Sequence, residues 1–79
     1  MTNTQSMETA YRAIRRLSEA AEGGSLDALE CLGVLRRELE DQTAFAVASL
    51  RDAPTPTPWA TIGRALDVTR QAAQQRYGG

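Results

Sequence analysis

Three prolines at alternate positions, Pro54, Pro56 and Pro58, divide this chain and limit what it can fold into. Each removes a backbone donor and pushes the residue before it toward extended geometry, so neither a helix nor a central strand can run through this stretch. The segment from Pro54 to Pro58 is expected to be a semi-rigid spacer of polyproline character. As a proline-rich ligand for another domain it is poor, because it is short and has no flanking basic residue. Folding must therefore happen on either side of it.

On the N-terminal side the apolar residues recur with a helical period. Met7, Tyr11, Ile14, Leu17 and Ala21 are spaced by three or four, which predicts an amphipathic helix starting near Ser6, after a loose Met1–Gln5. Ser6 is the expected cap, and Glu8 is placed in the first turn, where the helix dipole favours an acid. Gly23-Gly24 stops that helix. Ser25 is a good N-cap for a second, longer helix reaching about Arg51. Its main stripe is Ala28, Leu32, Leu35, Leu39, Gln42, Ala46 and, slightly off line, Leu50, with Leu29 and Val47 on the border; the pattern resembles a heptad seam. Val34 and Phe45 lie on the opposite face. Residues 1–53 thus read as a helical hairpin whose second helix has two apolar faces, and a hairpin cannot hide both. Either the C-terminal part covers one of them within the chain, or a second copy does. A homodimer is the expectation, with Leu32, Val34, Leu35, Leu39 and Phe45 as the dimerisation residues.

Beyond the prolines the pattern tightens. Thr57 is the expected cap and Pro58 a suitable first residue for a short helix whose apolar side is Trp59, Ile62, Ala65 and Leu66. Asp67-Val68 interrupts it. Thr69 then caps a second short helix, Arg70 to Tyr77, which Gly78-Gly79 ends. Residues 57–79 therefore have the logic of a helix-turn-helix. Gly63 lets the second helix cross the first closely, and Asp67 is among the few side chains that tolerate the positive φ a tight turn demands. Val68 is expected to plug the angle between the helices, Ala72 and Ala73 to keep the crossing tight, and Tyr77 to close the core from the far end.

Composition narrows the function classes. Six Arg face nine acids up to Ala53, whereas Arg64, Arg70 and Arg76 face only Asp67 afterwards, so the C-terminal part is the basic one. All nine basic residues are Arg, a bias of the kind a GC-rich genome writes. Cys31 is the single cysteine and histidine is absent. An internal disulfide and Cys/His zinc sites are thereby ruled out, as are nucleophile–histidine pairs. The carboxylates are interspersed with Arg on helix faces, and nothing groups a base with a nucleophile, so no enzyme, cofactor, metal site or small-molecule substrate is expected. No apolar run approaches the roughly 20 residues of a membrane span and no signal peptide is evident, which leads to an expected cytoplasmic location.

A helix entering the major groove of duplex DNA meets base edges with its N-terminal residues. Here these are Arg70, Gln71, Gln74 and Gln75. Arg can bond guanine O6 and N7 together, and Gln can bond adenine N6 and N7. The run Trp59-Ala-Thr-Ile-Gly-Arg-Ala-Leu-Asp-Val-Thr-Arg-Gln-Ala-Ala-Gln-Gln-Arg-Tyr77 is similar to helix-turn-helix segments of small actinobacterial DNA-binding proteins. In size and layout the chain resembles the GATC-binding nucleoid-associated proteins of that phylum. The resemblance implies an all-α chromosomal protein of the nucleoid with modest regulatory effect. It implies further that Arg70 and Gln71 read bases while Thr61, Arg64, Thr69 and Arg76 hold phosphates. Asp67 in place of Gly, and Ala73 where a branched apolar residue is common, depart from the general pattern. The alternative is a protein-interaction module, antitoxin-like or sigma-factor-binding, in which the acidic hairpin is the working part.

Overall fold

The computed structural model describes all residues, Met1–Gly79, and consists of four α-helices without a strand. The helices are α1 (Asn3–Glu22), α2 (Leu26–Asp52), α3 (Trp59–Ala65) and α4 (Arg70–Tyr77). No helix is long and apolar enough to cross a membrane.

The first helix starts earlier than the apolar period suggests. Thr2 and Gln5 form a capping box: the Gln5 amide donates to Thr2 Oγ1 at 3.1 Å, and the Thr2 amide donates to Gln5 Oε1 at 2.8 Å. Met1–Gln5 is therefore not a loose arm, Ser6 is not the cap, and Glu8 lies beyond the first turn. The signal was local and polar, starting five residues ahead of Met7, the first stripe residue. The end of α1 follows expectation. Gly24 adopts φ +107°, and the amides of Gly23, Gly24 and Ser25 return to the carbonyls of Glu19, Ala21 and Ala20. Ser25 caps α2 through Oγ, which accepts from the Ala28 amide at 3.1 Å.

The chain forms two compact units, Met1–Glu38 and Leu39–Gly79, and α2 contributes to both. This division falls inside α2 and not at Ala53/Pro54, where composition had placed it. The reason lies in the proline segment, which does not act as a spacer. The Thr57 amide donates to the Leu50 carbonyl at 3.0 Å, and Arg51 Nη1 donates to the Thr57 carbonyl at 3.0 Å. The Arg51 guanidinium also sits 4.7 Å from the centre of the Trp59 ring, a cation–π contact. Proline stiffness here makes a fixed corner that binds α3 to the end of α2.

In Met1–Glu38 burial is concentrated at the Gly-Gly elbow. Ala28 is buried, while Leu17, Ser18, Ala21, Cys31, Leu32 and Gly33 are partly covered. No residue of α1 is buried. In Leu39–Gly79 the core is Val47, Ile62 and Ala73, with Trp59 and Tyr77 packed against it. Val47, a border position of the seam, is thus the residue that α3 and α4 cover, whereas Leu39, Phe45 and Leu50 stay exposed.

Candidate nucleic-acid interface

The geometry of the α3–α4 pair follows from four residues. Pro58, not Thr57, caps α3: its carbonyl accepts from the amides of Thr61 and Ile62, and no side chain assists. Thr57 is one residue too early because its own backbone is committed to α2. Asp67 takes φ +57°, the only non-glycine residue in the left-handed region, as a tight turn after Leu66 requires. The turn then folds onto Gly63. A Cβ placed there would lie 2.8 Å from the Val68 carbonyl oxygen and 3.1 Å from the Arg70 amide nitrogen. The Val68 amide in turn donates to the Gly63 carbonyl at 2.8 Å. Thr69 closes the sequence as N-cap of α4, with Oγ1 accepting from the Ala72 amide at 3.0 Å.

Two packing expectations fail at this turn. Val68 does not plug the angle between the helices, and Leu66 does not enter the core; both side chains are exposed, as are Ala65 and Ala72. The backbone of residues 68–70 already fills the space over Gly63, so no side chain is needed there. Ala73, by contrast, is completely buried. The departure from a branched residue at that position is therefore a fit: a larger side chain would meet atoms on every side.

One turn of α4 carries 3.6 residues, so the direction of each candidate follows from Ala73, which points inward. Gln71 and Gln75 project away from the core and Gln74 to its side, and with Gly78 and Gly79 the three line one shallow concavity of about 350 Å³. Arg70, on the same side of the helix as Ala73 but at its first turn, is exposed. Thr61 and Arg64 are exposed on α3, and Thr69 is exposed at the start of α4. The structure thus brings the three Gln together, with Arg70 and Thr69 at the N-terminal end of the same helix.

Arg76 is different. Its Nη2 lies 2.9 Å from Glu40 Oε2, and the neighbouring Tyr77 hydroxyl donates to Glu40 Oε1 at 3.4 Å. A carboxylate engages this guanidinium as a phosphate oxygen would, and ties α4 to α2. Glu40 was missed because nothing local marks it: it belongs to an acidic stretch whose partner is thirty-six residues away. Arg51, read only as the end of the second helix and in the charge count, was missed although its partners Thr57 and Trp59 follow close behind it in the chain.

Farther along this unit, Gln42, Thr43, Ala46, Val47 and Leu50 of α2 and Ile62, Ala65 and Leu66 of α3 line a second, mostly apolar concavity of about 350 Å³. No cluster of His, Cys, Asp or Glu that could hold a metal is present. Comparison with protein-family models, curated proteins and solved structures finds no match for this chain.

Proposed function

We propose that the protein binds duplex DNA with sequence preference through α3 and α4, acting as a helix-turn-helix with α4 in the major groove, and that it does so as a homodimer. The observation that carries this reading is the exposed polar face of α4. A short helix, fixed by a tight positive-φ turn and a buried alanine, keeps Gln71, Gln74 and Gln75 exposed along one side, with Arg70 exposed at its N-terminal end. Such side chains pair with guanine and adenine edges. Thr61 and Arg64 on α3 and Thr69 at the start of α4 are exposed and are suited to the phosphate backbone, which α3 would cross. Arg76 joins them only after leaving Glu40.

The location of the charge supports the same reading. The residues from Pro54 onward carry three Arg and one acid, within a chain whose net charge is −1. Attraction to a polyanion is therefore local, which suits site-preferring binding better than coating of nucleic acid by bulk charge. The role that fits is a nucleoid-associated protein or transcriptional regulator.

Selection of bound duplexes from a random oligonucleotide pool at moderate salt tests the proposal. Enrichment of a short motif containing guanine or adenine contacts is the expected result. A chain with no duplex affinity, but with a stable heterologous protein partner after nuclease treatment, would reverse it in favour of the interaction module.

A further inference from the structure

The long apolar stripes of Met1–Glu38 are only half used. Near the elbow Leu17, Ser18 and Ala21 of α1 are partly covered, as are Cys31 and Leu32 of α2, and Ala28 is buried. Farther from the elbow, along the same stripes, cover is lost. Ile14 is 41% exposed, Tyr11 60% and Met7 65%, while Leu35 of α2 is 41% exposed. The two helices do not bury each other's stripe beyond the first turns. In a hairpin that packed along its length, these residues would be the core.

Charge says what kind of partner it is. Residues 1–38 carry five Arg and six acids, interleaved on both helices. A surface of mixed sign and near-zero net charge is poor for an anionic membrane or a nucleic acid. It suits a self-complementary contact, in which each patch meets its own copy across a two-fold axis.

We infer that the open ends of α1 and α2 receive the same ends of a second copy, forming a four-helix dimer in which Met7, Tyr11 and Ile14 of α1 are core residues together with Leu35. This rests on the homodimer reading and adds α1 to an interface that the sequence pattern had confined to α2. It places Val34, on the outer face of α2, outside the contact.

Sedimentation of the full chain without DNA, over a wide concentration range, tests the inference. The wild type is expected to be dimeric at micromolar concentration, with a melting midpoint that rises with concentration. The double variant Tyr11→Glu/Ile14→Glu places unpaired charges in the contact, and its dissociation constant should rise at least about 100-fold. Trp59 fluorescence, which reports on Leu39–Gly79, should stay native-like in that variant. Val34→Glu should leave the dimer intact. Concentration-independent melting of a monomeric wild type overturns the inference without recourse to any variant. So does a dimer that survives Tyr11→Glu/Ile14→Glu but dissociates with Val34→Glu. Failure of DNA binding by a confirmed dimer counts against the DNA reading alone and leaves this interface standing.

Discussion

In Met1–Glu38 a helix of 20 residues buries none of them, whereas in Leu39–Gly79 helices of seven and eight residues supply two of the three core side chains. The first region has the stronger amphipathic pattern and the second has the real interior. The difference teaches that a stripe only offers a surface for burial; a core needs elements that close on one another. Around Val47, Ile62 and Ala73 three helices meet, and the proline corner and the Gly63 turn hold them there. At the elbow only two helices meet, and two cylinders cover each other along one line.

The largest effect that could break this contrast is at Gly63. Gly63→Ala puts a methyl group 2.8 Å from a backbone oxygen that cannot move without reshaping the turn, and should destabilise the Leu39–Gly79 unit by about 2–3 kcal/mol. Denaturant unfolding followed by Trp59 fluorescence measures it. A loss below half a kcal/mol would mean that the turn is loose and the supposed rigid core is not what positions α4.

Next come the two arginines that the α3–α4 geometry separates. Arg70→Ala should cost about 1–3 kcal/mol on the preferred duplex and much less on random DNA, so discrimination collapses. Arg64→Ala should weaken all sequences alike and lower the log–log salt slope by about one unit. Titrations of both variants on two duplexes decide the matter. If Arg64→Ala changes sequence preference while Arg70→Ala leaves it unchanged, the wrong helix has been assigned to the groove.

Thr69 separates folding from binding at a single position. Loss of the capping oxygen in Thr69→Ala should cost about 1 kcal/mol of stability. Thr69→Asp retains a good cap, so the melting temperature should hold, yet its negative charge should repel the phosphate and reduce duplex affinity at least tenfold. Equal loss of binding in both variants, in proportion to stability, would show that Thr69 acts on DNA only through the fold.

The smallest effect is expected at the tie between the α4 and α2 elements. The Arg76–Glu40 pair is largely exposed on both sides, so Glu40→Gln should change stability by less than about 1 kcal/mol. Freed from its carboxylate, Arg76 becomes available to phosphate. Duplex affinity should then rise a few-fold, and the salt slope should steepen by up to about one unit per chain. An unchanged slope would make Arg76 a structural residue with no part in binding.

Several features were legible in the sequence because their chemistry acts within a few residues. Ser25 and Thr69 cap the helices they were expected to cap, Gly23-Gly24 and Gly78 end helices, and Asp67 takes the positive φ read for it. The outward setting of Gln71 and Gln75 follows from helix period once Ala73 is inside. The early start of α1 was equally legible in Thr2 and Gln5, but an apolar period is blind to a polar capping box.

Only the tertiary structure decided which apolar residues are covered and which charged groups meet. Val47 was chosen over Leu39 and Leu50, the backbone of the turn displaced Val68 from the role given to it, and Arg76 and Arg51 found partners on or beside α2. Arg51 and the turn at Val68 depend on how the chain folds back over a few residues. The choice of Val47 and the pairing of Arg76 depend on segments far apart in the chain arriving at one place. Local propensity carries no record of that arrival: caps and turns are settled by neighbours along the backbone, burial and ion pairs by neighbours in space.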